Sequence, residues 1–394
     1  MIGLHRAHLV AVLRKEITDL LRDRKSMFWT LFASIISGPL VLGLLYTIAK
    51  TVGERIERTT AYVVNAEAAP DLMRYLERRG IRIETAKPDF EARIAAGELD
   101  AVLVIDQHYA QDLTQARPAR VTLVTDSSRD RSAPIVRRLE AEVRAYGQQL
   151  GRERLVLFGV SPAVAHPIVL EALDLATPVQ RSARIFQIMA FYALFAGLMG
   201  AIAAALDVTA GERERQTLEP LLATPVTPLA LAVGKWLATS AINLLAITAS
   251  LGGFLLALQV VPLARIGLPF EFGLGQFAAF MAVLIPFGLM VPAVLLFFGA
   301  QGKTAKEAQS SLSIGLSLVG MLPLISFLRQ TQAPWWDAWI PVNGQFAVLT
   351  KILRAETVPP LDMVAVGVMP LVIALLAVWA FSRKLADERL LAGR

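Results

Sequence analysis

Cysteine is absent from the 394-residue sequence, which excludes disulfides and thiolate-ligated metal sites. That lack suits a protein of a bacterial envelope. No Asn-x-Ser/Thr glycosylation acceptor occurs. Charge is scarce: 18% of residues are Asp, Glu, Lys or Arg, where a soluble domain carries about 25%. Histidine is limited to His5, His8, His108 and His166. His5 and His8 stand three apart, but no nearby carboxylate or cysteine completes a metal site. They read as side chains at a membrane surface, and no metal, cofactor or catalytic group is expected on this chain.

Long apolar runs take the place of the missing charge. The chain is 55% hydrophobic with a mean hydropathy of +0.52, which makes it a membrane protein. Six runs reach the ~20 residues that a helix needs to cross a bilayer: Met27 to Ile48, Ile185 to Leu206, Leu229 to Val261, Phe277 to Ala300, Ser310 to Leu328 and Met363 to Phe381. Ahead of the first, residues 4–25 place Leu9, Val10, Leu13, Ile17, Leu20 and Leu21 at three- and four-residue steps. This amphipathic helix can lie in the headgroup region. The first run is not a cleaved signal peptide, because the region before it is long and helical and no A-x-A site follows.

The formal charge of +6 could suggest nucleic acid, so its distribution decides. Between Lys50 and Gln180 there are 18 Lys/Arg against 19 Asp/Glu. The excess lies beside the apolar runs. Segments 1–25, 207–235, 301–309 and 383–394 hold 15 Lys/Arg, whereas 259–275 and 329–362 hold only Arg265, Arg329, Lys351 and Arg354. The positive-inside rule then places both termini in the cytoplasm and the long 50–183 segment outside, in a bacterial inner membrane. Within that segment Thr60 to Val64, Ala101 to Ile105 and Arg120 to Thr125 read as strands. Asp71 to Arg79 and Ser132 to Leu155 read as helices, giving a small extracytoplasmic α/β domain. Thr125-Asp126-Ser127-Ser128 reads as a turn with Asx-type hydrogen bonds rather than a nucleophile site.

The most informative stretch is 211–235, GERERQTLEPLLATPVTPLALAVGK. Glu212, Arg213, Glu214 and Arg215 read as a solvated charged turn. Thr217 is placed to N-cap a short helix. Leu218, Leu221 and Leu222 share one face, and Pro225 and Pro228 end it. A capped, apolar-faced helix between charges suits docking of a partner, with knobs for area and charges for register. A plain interfacial loop has the same local pattern.

This stretch resembles the cytoplasmic loop of ABC-2 type exporter permeases. The resemblance rests on Glu212, Glu214, Arg215, Thr217, Leu218, Glu219, Leu221, Leu222, Thr224, Pro225, Gly234 and Lys235; glycine is common in that family where this chain has Gln216. The order of interfacial helix, span, outer domain and five further spans is similar as well. The large outer domain and Ile340-Pro341-Val342-Asn343 resemble the sodium-efflux (Nat-type) branch. The resemblance implies a permease of six transmembrane helices that pairs with a second copy or close relative. A separate ATPase, which binds ATP and magnesium, would dock at 211–228. Glu212, Arg213, Glu214, Arg215, Thr217, Leu218, Glu219, Leu221, Leu222 and Pro225 would couple it to outward transport of sodium, a drug, a peptide or a lipid.

Gly302-Lys303-Thr304 imitates the end of a phosphate loop, but Phe297 stands where the first glycine belongs. Lys303 and Lys306 read as positive-inside anchors. No Asp, Glu, Lys or Arg is expected in mid-membrane, which argues against a proton- or sodium-coupled secondary transporter. Polar candidates for a pathway or for interhelix bonds are Ser240, Asn243, Thr248, Ser250 and Asn343, with Ser310, Ser311, Ser313 and Ser317 on the fifth span. A receptor with an outer ligand-binding domain is the other reading, but no cytoplasmic segment is large enough for an output domain.

Overall fold

A computed structural model describes residues 2–57, 59–129, 132–164, 173, 176–263, 270, 272–302, 304–328 and 334–392. The chain divides into two compact units, Met1–Tyr46 with Leu175–Arg394, and Thr47–Asp174. Lys303, Arg265, Arg329, Asp130, His166 and the side chains of His5 and Arg394 lie outside the described residues.

The chain opens with helix α1 (Ile2–Arg22). Its buried stripe is Val12, Glu16 and Leu20 at four-residue steps, so a carboxylate sits within an apolar seam. Asp23 interrupts the helix, and its carboxylate accepts from Ser26 N at 3.1 Å, capping α2 (Arg24–Glu57). Pro39 inside α2 has no N–H to give the Ile35 carbonyl.

The second unit is an α/β sandwich. In order it carries β1 (Thr60–Val64), α3 (Pro70–Arg78), β2 (Arg82–Thr85), α4 (Phe90–Ala96), β3 (Ala101–Ile105), α5 (Tyr109–Thr114), β4 (Val121–Thr125) and α6 (Ala133–Leu157). The sheet order is β2-β1-β3-β4, with β2, β1 and β3 parallel and β4 antiparallel to β3. The AVLVI run of β3 is central and buried on both faces. Leu72 and Leu76 of α3 with Ile135 and Leu139 of α6 cover one face. Ile94 of α4 packs with Leu99 and Val102 on the other. The turn after β4 has the Asx form: Ser128 N and Oγ donate to Asp126 Oδ1 at 3.0 and 2.6 Å. These Ser128 bonds, then Arg129, hold the Asp126 carboxyl below the usual carboxylate range.

Among the described residues, six helices are long and apolar enough to cross a membrane: Arg24–Thr51, Phe186–Glu214, Pro228–Val260, Leu274–Gly299, Ala305–Ser326 and Pro360–Glu388. The second is not the continuous run expected. It comprises α7 (Pro178–Met199), a break at Gly200, α8 (Ile202–Leu206), a wide turn at Asp207–Gly211 and α9 (Glu212–Glu214). A Cβ at Gly200 would meet Ala246 Cβ at 2.8 Å and Asn243 Oδ1 at 3.0 Å, so only glycine fits there. There follow α10 (Leu218–Leu222), α11 (Pro228–Val260), α12 (Leu274–Gly299), α13 (Ala305–Gly320), α14 (Leu322–Leu328), α15 (Asn343–Leu353) and α16 (Pro360–Ala392). The fifth crossing is interrupted at Met321, and α16 runs on through the segment expected to be a tail. Helix α15 corrects a second expectation. Residues 329–362 read as a short outer loop, yet Phe346, Val348, Leu349 and Leu353 of α15 join the core. Its apolar run is too short to register as a crossing.

Helix α11 packs where α2 and α12, continuous through their internal prolines, leave carbonyls without helical donors. Pro292 deprives the Gly288 carbonyl of its donor, and Asn243 Nδ2 supplies one at 3.1 Å. A Cβ at Gly253 would lie 2.0 Å from the Ile35 carbonyl, the one that Pro39 leaves open. Ser37 and Ser250 hydroxyls lie 3.3 Å apart at the same crossing. Asn243 therefore makes an interhelix bond. Thr248 is exposed; its hydroxyl donates to the Leu244 carbonyl of its own helix at 2.8 Å and lies 4.0 Å from Met281 Sδ of α12. Ser240 is buried, and its hydroxyl has no partner among the described residues.

Candidate functional site

The 211–217 turn is a hub. Arg213 Nη1 donates to Gly302 O at 2.8 Å, and Nη2 pairs with Glu388 of α16. Arg215 pairs with Asp207. Glu214 accepts from Ala305 N at 3.0 Å, at the start of α13. The charges expected to be solvated are thus engaged with four other segments, while Glu214 and Arg215 keep exposed surface.

Glu212 departs furthest from the solvated-turn reading. It is only 7% exposed. Its Oε2 accepts from Lys235 Nζ at 2.6 Å and its Oε1 from Lys15 Nζ at 2.9 Å. Lys235 also donates to Glu16 Oε1 at 3.0 Å, and Lys15 lies 3.1 Å from the same atom. Two lysines and two carboxylates thus form a charge-balanced quartet, with Asp19 3.3 Å from Lys15 at its rim. Lys235 was expected in a cytoplasmic flank. It lies in the second turn of α11 and is fully buried. An ammonium in that position needs anionic partners at hydrogen-bond distance, and both are supplied. Half-burial of Lys15 opposes its charge, but the Glu16 and Glu212 carboxylates outweigh this and raise its pKa. Glu16 Oε2 has no hydrogen-bond partner among the described residues.

The turn ends in a Schellman motif. Thr217 N donates to Glu212 O at 3.0 Å, and Gln216 N to Arg213 O at 3.1 Å. Gln216 adopts φ 58°, the left-handed region where glycine is free of strain. Thr217 does not cap α10 with its side chain; its hydroxyl donates back to Glu212 O at 3.2 Å. The apolar face of α10 is turned inward. Leu218 and Leu222 are buried in this chain's own core, where α10 packs on α16, and Leu221 is half-buried against it. Five residues with leucines at i and i+4 will bury that face on whatever is nearest, and the bundle is nearest. The exposed side presents Gln216, Thr217, Glu219, Pro220, Ala223 and Pro225.

At the connection between the fifth and sixth crossings, Asn343 is 3% exposed and accepts from Ser326 Oγ at 2.8 Å. Val342 N donates to Gln345 Oε1 at 2.6 Å, and Gln345 Nε2 to Val366 O at 3.2 Å. Asn343 thus supports a buried turn. The phosphate-loop decoy is structural where described: Gly302 O accepts from Arg213, and Thr304 Oγ1 caps α13 by accepting from Glu307 N at 3.2 Å.

Sequence reasoning missed the quartet. Its one local signal is a glutamate at the centre of the Val12–Leu20 stripe.

Residues 28–384 match the family model described as ABC-2 family transporter protein. The chain is 25% identical over 387 residues to the ABC transporter permease protein NatB of Bacillus subtilis, covering 96% of this chain and 98% of that protein. The match takes in the broken second crossing, the 211–227 hub and the α/β unit alike, so the chain belongs to the ABC-2 family as a multi-pass permease subunit of an ABC transporter.

Proposed function

We propose that this permease exports substrate across the bacterial inner membrane, driven by a separate ATPase that docks on the 211–228 segment. The observation that carries this reading is the hub. One short turn is bonded to α1, α11, α13 and α16, and with the start of α10 it keeps an exposed face of Gln216, Thr217, Glu219 and Pro220. A push on that face reaches most of the bundle at once. The docking surface is the exposed side of α10 rather than its leucines. The distribution of Lys and Arg supports cytoplasmic termini and an α/β unit outside. Two copies, or this chain and a close relative, would form the pathway. ATP and magnesium would belong to the partner. Sodium is the substrate that the Nat-type resemblance favours.

The test is recovery of the cognate ATPase with the affinity-tagged permease at matched membrane levels. The Glu219→Arg/Ala223→Arg variant places two bulky cations on the exposed face and leaves the core untouched. It should lose most of the ATPase and of ATP-driven efflux from vesicles. Equal recovery by wild type and variant would remove the docking assignment. A reporter inserted at Ser127 should read outside; an inside signal would overturn the orientation.

A further inference from the structure

The quartet implies a role for α1 beyond lying on a membrane surface. An amphipathic helix that only floats in the headgroup region has no use for a carboxylate at the centre of its buried stripe. Apolar seams are non-directional and tolerate sliding. A buried ammonium bonded to two carboxylates fixes both register and distance. Lys235 is fully buried on α11, Glu16 is 1% exposed on α1, and Glu212 begins the hub turn. These three groups come from segments 219 and 23 residues apart. Close approach is built in: a Cβ at Gly234 would lie 2.5 Å from Val12 Cγ1. One residue, Asp23, separates α1 from α2, and it caps α2.

Resting on the docking reading above, we infer that Lys235, gripped by Glu16 and Glu212, is a latch that makes α1, the 211–217 turn and the start of α11 one body. A force applied at the loop is then delivered through α1 and Asp23 to the first membrane crossing. Lys235 is a positioning residue: it touches neither substrate nor nucleotide. Lys15, half-exposed and 2.9 Å from Glu212, closes the cluster from the solvent side.

The absence of native cysteine makes the test direct. The pair Val12→Cys/Gly234→Cys introduces the sole thiols, with Cβ positions 3.0 Å apart, so the backbones need part by only about half an ångström to reach the disulfide range. Oxidation of the full-length chain in membranes, read as loss of maleimide-reactive thiol, should be rapid. Adding Lys235→Leu should slow it by about tenfold or more. Should Lys235→Leu fail to accumulate, Glu16→Gln supplies the second comparison: it keeps the shape of the side chain, takes the charge from the α1 side of the latch and should slow crosslinking too, equal rates overturning the latch. In vesicles with the ATPase, the oxidised pair should transport as its reduced form does, because latched parts move together. Two results overturn the latch: crosslinking equally fast without the lysine charge, or transport lost on oxidation and regained on reduction. Crosslinking is read without the ATPase, so failure of the docking reading leaves that arm intact.

Discussion

The two ends of the membrane bundle bury polar groups in opposite ways. At the loop end, Lys235 meets Glu16 and Glu212, and Lys15 meets Glu212, across 219, 23 and 197 residues. At the other end, Ser326 meets Asn343, Val342 meets Gln345 and Gln345 meets Val366, across 17, 3 and 21 residues. The first cluster joins segments that the chain itself does not hold together. The second shapes one turn and seats one short helix. The energetics differ accordingly. A buried ion cluster loses heavily when one member goes, because the others are left as uncompensated charge. A hydrogen-bonded turn loses one donor–acceptor pair at a time.

Lys235→Leu should show the largest effect. It leaves two buried carboxylates with only half-exposed Lys15 as counterion, and should cost about 3–5 kcal/mol. The check is a fall in the thermal unfolding midpoint of the detergent-solubilised protein. Adding Glu16→Leu and Glu212→Leu should recover most of that stability, since an apolar set of similar volume replaces the ion pairs at little net cost. Transport should not recover with it. A triple variant as unstable as the single one would mean that the quartet owes its cost to packing, and the contrast between the ends would fail.

Asn343→Ala is the counterpart at the other end. It strips the nearer acceptor from Ser326 Oγ, leaving Asp337 Oδ2 at 3.4 Å, and should cost about 1–3 kcal/mol, with a smaller shift in the same midpoint. A loss as large as that of Lys235→Leu would erase the distinction.

The contrast also explains what was legible in the sequence. The six crossings follow from apolar length, and β3 from its AVLVI run, because those signals are local. The Asx turn at Asp126 was legible for the same reason. The Ile340–Asn343 motif lies within the turn that it shapes, so it too could be noticed. Pairing of Glu16 with Lys235 over 219 residues leaves no local pattern, and Lys235 counts in the sequence only as one cation of the 207–235 segment. Leu218 and Leu222 announced a face that must be buried, but amphipathicity does not say against what. Helix α15 was missed because its apolar stretch is shorter than a crossing and follows polar, proline-containing residues.

The smallest effect is the most discriminating, at Val342. This residue has φ 71° and ψ −52°, a sparsely populated conformation that is particularly poor for a β-branched side chain. Its N–H donates to Gln345 Oε1 at 2.6 Å, and its side chain is 1% exposed. Two opposed quantities follow. Holding valine at positive φ costs on the order of 1–3 kcal/mol. Burying its methyl groups returns about 1.5–3 kcal/mol. Val342→Gly gives up the burial but removes the strain, so its stability should fall within about 1 kcal/mol of wild type. Val342→Ala gives up most of the burial and keeps a Cβ at positive φ, so it should be the less stable of the two. At ordinary buried sites glycine is worse than alanine by about 1 kcal/mol through backbone entropy. The measurement is the order of the two unfolding midpoints. Glycine above alanine shows that this end of the bundle stores backbone strain held by local hydrogen bonds, unlike the ion-paired end. Alanine above glycine would mean that the turn is unstrained and that side-chain burial alone holds it.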